Sequence, residues 1–120
     1  MTYKIDSSNE NFDRIKKSGY SKTERLKGKQ VIKKIFSKGK RFHRGNITII
    51  YLLSEKQAAG FVASKKIGGA VKRNKVKRIL REAYRMNKDI FEGLNVIFYA
   101  HGPLKANDIL STIKAFREVR

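Results

Sequence analysis

The stretch from Gly60 to Arg85, GFVASKKIGGAVKRNKVKRILREAYR, is crowded with cations, and Glu82 is the only acid between Lys65 and Lys88. Guanidinium and ammonium groups one helical turn apart can meet successive phosphates along a groove, and an amide such as Asn74 can add a hydrogen bond to a sugar or base edge. That chemistry requires a helix. At about 100° per residue, Lys77, Lys88, Arg81, Asn74, Arg85 and Arg78 share one arc, and Val76, Leu80, Ala83 and Ile79 share the arc opposite. A helix is therefore expected from about Val71 to Met86, packed on one side and cationic on the other. A solvated face is the ordinary fate of a basic run, but it usually mixes in acids at i+4. RNA backbone is the natural target. Lys65 and Lys66 extend the charge into the preceding loop, where Gly68 and Gly69 would let backbone amides approach a phosphate, although paired glycines also serve simple turns.

A second constellation interleaves Phe36, Phe42 and Tyr51 with Lys38, Lys40, Arg41 and Arg44. Unpaired bases stack on aromatics beside phosphates held by cations. Core packing is the better reading for Phe36 and Tyr51 individually, and Phe42 is expected to be the exposed ring. No catalytic constellation emerges. Asp6, Glu10, Asp13, Glu24, Glu55, Glu82, Asp89, Glu92 and Asp108 are dispersed, and no motif unites several of them into a two-metal nuclease site. Asp89 and Glu92 could share a helical turn, where capping or solvation is the simpler role. His43 and His101 lie too far apart in sequence to be a local ligand pair, and each reads as a surface or loop histidine. With no cysteine in the chain, disulfides, thiolate catalysis and Cys-bound zinc are excluded.

The elements that must position these residues fit one domain of 120 residues. There are 29 Lys and Arg against 10 Asp and Glu, a formal charge of +19, which opposes compaction unless a polyanion neutralises it. No apolar run approaches a bilayer span and no signal peptide opens the chain, so a cytoplasmic protein with no membrane partner is expected. Residues 1–20 show no sustained apolar period and read as a loose arm, leaving 21–120 as the domain. Val31, Ile32, Ile35 and Phe36 mark a short helix from Lys29 to Lys38, with Gly39 as its stop. Ile47 to Leu53 reads as a strand apolar on both faces, so that either both are covered or one is a ligand platform. Gly60 to Ser64 reads as a strand pairing antiparallel with it through a hairpin over Ser54 to Gln57. Asn95 to Ala100 is a buried strand broken by Gly102-Pro103, and a last helix from about Ala106 turns Ile109, Ile113 and Phe116 inward. The sum is an α+β sandwich of helices on a sheet.

The run Arg73-Asn74-Lys75-Val76-Lys77-Arg78-Ile79-Leu80-Arg81-Glu82, preceded by Ser64-Lys65-Lys66-Ile67-Gly68, closely resembles the signature of the bacterial ribonuclease P protein component. The resemblance extends more loosely from Arg25-Leu26-Lys27 through Ile35-Phe36 and Gly39 to the final helix, and leaves out residues 1–20. It implies a four-stranded mixed sheet packed with three helices in the order α-β-β-β-α-β-α, a ribosomal-protein-like two-layer sandwich. A left-handed βαβ crossover, against the usual rule, would run from the strand near Phe61 through the helix from Val71 to the strand near Ile97.

For function, the resemblance implies a subunit of an endoribonuclease holoenzyme in which an RNA subunit, using Mg2+ held mainly by RNA, hydrolyses the bond releasing the 5′ leader of precursor tRNA. The protein would bind the ribonuclease P RNA and precursor tRNA, with no DNA partner. The family's motif falls on Arg73, Asn74, Lys77, Arg78 and Arg81, which would contact the RNA subunit near its active site; the basic loop and helix add Lys65, Lys66, Lys72 and Arg85 as expected RNA contacts, and Arg73 and Arg78 are expected to be exposed. Lys75 stands where arginine is frequent, which keeps the charge and loses the bidentate fork. A leader-binding cleft between the first helix and the sheet is implied for Ile32, Phe36, Phe42 and Ile50, with Ile32 replacing a common aromatic. Two rival readings remain: a ribosomal-type RNA-binding module, which needs no leader cleft, and a self-sufficient metal nuclease.

Overall fold

The computed structural model describes residues 25, 26 and 28–120; the expected arm over residues 1–20 lies outside them. The elements run α1 (Lys29–Lys38), β1 (Lys40–Arg44), β2 (Ile47–Leu53), β3 (Ala58–Ala63), a 3₁₀ turn (Lys65–Ile67), α2 (Ala70–Met86), a second 3₁₀ turn (Lys88–Phe91), β4 (Leu94–Ala100) and α3 (Ala106–Val119). This is the α-β-β-β-α-β-α order and the mixed four-stranded sheet that the resemblance implied. β1 is the strand that apolar periodicity missed, because its residues Lys40, Arg41, Phe42, His43 and Arg44 form a charged edge. Such an edge also discourages pairing with other chains.

The strand order is β1-β2-β4-β3. β4 pairs antiparallel with β2 and parallel with β3, so the expected β2–β3 hairpin does not form. Crossing one strand requires about 10 Å, and four residues extended at roughly 3.3 Å each cover it. Loop length therefore allowed either arrangement. The central place goes to the strand with buried apolar side chains on both faces: Leu94, Val96, Ile97, Phe98 and Ala100 are all buried. The Ser54 amide donates to the Gly93 carbonyl at 2.9 Å, which ties the crossing loop to the start of β4.

Alternation along the strands divides the core. On one face Ile47, Ile49, Phe61, Val96 and Phe98 pack against Val76, Leu80 and Tyr84 of α2 and Ile109, Ile113 and Phe116 of α3. The rings of this layer interlock, with Phe61 stacked on Phe98 at 5.5 Å, Phe91 on Phe116 at 5.5 Å, and Tyr51 edge-on to Phe116 at 4.9 Å. Such pairs add about 0.5–1.5 kcal/mol each beyond area burial. On the other face Ile50, Ala58 and Ile97 meet Leu26 and Ile35, with Ile32, Phe36, Leu52 and Val62 partly open. Among the described residues, the sandwich of α2 and α3 on the sheet thus carries α1 and Leu26 on its reverse.

α1 can stop and turn into β1 because Gly39 carries no side chain. Its amide donates to Ile35 at 2.8 Å, and a Cβ there would lie 2.6 Å from the Ile35 oxygen and 2.9 Å from that of Tyr51. Both are backbone atoms that cannot swing away. Gly39→Ala should cost about 1–3 kcal/mol of stability, read as a lowered urea midpoint at unchanged m value; an unaltered midpoint would show that the α1–β1 junction can shift freely.

Candidate nucleic-acid interface

The loop into α2 is built by short-range bonds. Ser64 accepts from the Lys66 amide at 3.2 Å through its hydroxyl and from the Ile67 amide at 3.0 Å through its carbonyl. Ile67 is buried and anchors the turn, while Lys65 and Lys66 stay exposed. Gly68, at φ 134°, holds a conformation that side chains rarely adopt, and a Cβ would lie 2.9 Å from a carbon of Lys72. Gly69 has no such need: its φ is −70° and nothing surrounds its missing Cβ. It caps α2 without a side-chain hydrogen bond, and no acid stands in the first turn. The positive end of the helix is therefore not countered from within that turn.

Along α2, Val76, Leu80, Ala83 and Tyr84 are buried. Tyr84 escaped the apolar pattern because its hydroxyl reads as polar; that hydroxyl accepts from the Gln57 amide nitrogen at 2.9 Å. Lys72, Asn74, Lys75 and Arg78 are exposed, and Arg73, Lys77, Arg81 and Arg85 are half-buried. Lys77 has its ammonium held below the ordinary lysine value, first by burial and then by Arg73 and Arg81 one turn away on either side. Like charges are thus held together along the helix, an arrangement that an anion relieves.

Three expectations for this helix change. Lys88 falls beyond its end, in the second 3₁₀ turn, where its carbonyl accepts from Gln57 at 3.0 Å. Arg85 is engaged with Glu82 through two charge-assisted hydrogen bonds, so its charge is already partly answered. Arg73 is not simply exposed: its guanidinium donates to the Gly68 carbonyl at 2.8 Å. It precedes Val76 and Leu80 by three and seven residues, so it extends the packed stripe toward the loop.

The reverse face carries the second candidate surface. α1 stands over β2 and β4, with Ile32 and Phe36 half-exposed and the Phe36 ring edge-on to Tyr99 at 6.3 Å. Ile50 belongs to this layer but is 1% exposed, so it forms floor rather than contact surface. Phe42 does not join the cleft and is only half-exposed. It pairs with Ile49, and strand alternation turns it to the opposite face, where it meets Phe116 at 5.6 Å. Tyr99 takes the aromatic place instead; its alternation with Phe98 was legible, but the whole strand was read as core. Arg41, on the edge strand, lies on the same face as Ile50 and donates to the Phe36 carbonyl at 2.7 Å. Nor are the two histidines separate: the His43 and His101 rings lie 5.5 Å apart, brought together by pairing of β1, β2 and β4.

The model of the family described as ribonuclease P matches residues 20–119. The chain belongs to the ribonuclease P protein family. Among its relatives, the ribonuclease P protein component of Caldanaerobacter subterraneus is 38% identical over 90 residues, covering 72% of this chain and 78% of that one. The corresponding protein of Desulfotalea psychrophila is 42% identical over 71 residues, 58% of this chain, and the match spans only 59% of that relative's length. The solved RNase P protein of Thermotoga maritima is 27% identical, with a TM-score of 0.58 over 79% of this chain and 89% of that one. That of Staphylococcus aureus shares the fold at a TM-score of 0.67 and 24% identity, over 82% and 95% of the two chains.

Arg73 and Arg78 now separate structure from recognition. Arg73→Ala should lower unfolding free energy by about 1 kcal/mol through loss of the Gly68 bond, while Arg78→Ala should stay within about 0.5 kcal/mol. Urea midpoints check this, and equal stability of the two variants would mean that the Gly68 contact contributes nothing.

Proposed function

We propose that this chain is the protein subunit of ribonuclease P, binding the RNA subunit through α2 and the Lys65–Gly68 loop and the 5′ leader of precursor tRNA through the cleft between α1 and the sheet. The observation that carries this reading is the cationic arc of α2 running into exposed Lys65 and Lys66, on a chain whose family is ribonuclease P. Phosphate neutralisation gives affinity without sequence dependence. The reverse face offers Phe36 and Tyr99 for bases that are unpaired, as those of a leader are.

Such a protein promotes a phosphodiester hydrolysis whose chemistry resides in the RNA. Among the described residues no three Asp, Glu or His side chains gather into a group that could hold a metal ion. The magnesium for the reaction is assigned, as part of this proposal, to the RNA. The chain's own residues act by binding and orienting: α2 docks on one RNA segment while the α1 cleft holds another on the opposite face of the same rigid sheet, which fixes their separation. No helix among the described residues is long and apolar enough to cross a membrane, and the proposed place of action is the cytoplasm, on RNA rather than DNA.

The test is cleavage of a leader-bearing precursor tRNA at low magnesium by the protein, by a bacterial ribonuclease P RNA, and by the two together. Activity confined to the combination is the expected result. No gain over RNA alone would leave a general RNA-binding module as the better description, and cleavage by the protein alone would point to a catalytic site of its own.

A further inference from the structure

Where β1, β2 and β4 meet, two histidines share one buried hydroxyl. His43 on β1 pairs with Thr48 on β2, and Thr48 pairs with Tyr99 on β4. His101 follows one residue past the end of β4, its amide donating to the Asn46 carbonyl at 2.7 Å. Thr48 Oγ1 lies 2.8 Å from His43 Nδ1 and 2.6 Å from His101 Nε2. Thr48 is only 6% exposed, whereas both imidazoles are open to solvent. Their other nitrogens, His43 Nε2 and His101 Nδ1, have no hydrogen-bond partner among the described residues.

The proton count of this cluster is constrained. With both rings neutral, the hydroxyl donates to one inner nitrogen and accepts from the other, so one outer nitrogen carries a proton and the other does not. A first added proton can sit on that bare outer nitrogen without disturbing either bond to Thr48. The site then offers two outward N–H donors and one positive charge. A second proton would have to displace the bond donated by Thr48 and place two imidazolium rings 5.5 Å apart.

The surroundings favour an anion. Burial first, then His43, then Lys66 on the turn after β3, hold the His101 proton affinity below the ordinary histidine value. Arg41 precedes His43 by one pleat on the same face of β1. From α1, Phe36 reaches Tyr99, whose ring lies 4.7 Å from that of His101. Asp108 of α3 accepts from the Lys105 amide at 2.8 Å and lines a separate cavity with Arg44 and Leu104. An aromatic path from the α1 cleft thus ends at two imidazoles beside the basic loop of α2.

We propose that His43 and His101, positioned by Thr48, form a phosphodiester-binding site for single-stranded RNA that takes up one proton as the backbone anion binds. The site rests on the leader-binding reading above and deepens it: the cleft supplies stacking, and the cluster fixes a phosphate of the same strand. The sign follows from the lowered proton affinity of His101 in the free protein. Binding draws a proton onto the cluster, so affinity for leader rises as pH falls, by at most about tenfold per pH unit for one linked proton.

The full chain assembled with a bacterial ribonuclease P RNA would be titrated with leader-bearing precursor tRNA and with the same tRNA lacking its leader, from about pH 8 to about pH 6. The ratio of the two affinities cancels the pH response of the RNA subunit and of the tRNA body. The ratio should rise roughly three- to tenfold on acidification for the native chain. It should stay flat in the His43→Asn, His101→Asn double variant, whose changes are at exposed positions, and in Thr48→Val, and be restored by Thr48→Ser. A leader preference that is present but equally pH-dependent, or equally flat, in the native chain and the double variant overturns the phosphate site and leaves the proposed function standing. No leader preference at any pH overturns both.

Discussion

The placement of β4 between β2 and β3 governs the rest of the molecule. This strand has buried side chains on both faces and is stable only where both are covered, so it takes the middle of the sheet, with an antiparallel partner on one side and a parallel one on the other. A parallel pair cannot be joined by a tight turn, and the chain leaves β3, forms α2 and returns. α2 therefore has to lie across the sheet, buried along Val76, Leu80 and Tyr84, with its other arc presented outward. The same pairing sets the end of β4 across β2 from β1, so that His43 of β1 and His101 just past β4 both reach Thr48 of β2.

Electrostatics works against this packing. A formal charge of +19 on 120 residues favours expansion, and the lowered proton affinity of Lys77 between Arg73 and Arg81 is its local expression. Part of the charge is answered internally, by Glu82 at Arg85 and by the Gly68 carbonyl at Arg73. Lys65, Lys66, Lys72, Lys75 and Arg78 remain exposed. Packing thus gathers the cations of α2 and its preceding loop on one surface, where a polyanion gains most by neutralising them.

The sheet keeps its two candidate surfaces on opposite faces and joins them at one end. α2 and α3 hold one face, α1 covers part of the other, and Ser64 to Lys66 connects them beside His101. The Ser64 amide bonds the Ala100 carbonyl at 2.9 Å across that junction. A rigid spacer with a cationic ridge on one side and an aromatic cleft on the other is the arrangement that the proposed function calls on. The aromatic interlock around Phe116 supplies that rigidity.

Whatever depends on residue type and short spacing was determined by the sequence alone: the helices ending at Gly39 and Met86, the cationic arc, the apolar strands, and the motif around Arg73 to Glu82 that carries the family resemblance. Local patterns suffice there because helix faces and strand alternation are set by neighbours within a few residues. Long-range pairing decided what that reading missed. A four-residue loop permits either a hairpin or a crossing, so the place of β3 depended on which strand most needed burial. Phe42 was a stacking candidate by its company of cations and a cleft residue by the family resemblance, and its register with Ile49 turned it to Phe116 instead. His43 and His101, read as unrelated, became neighbours because β2 pairs with both β1 and β4, a contact between distant residues that spacing along the chain does not encode.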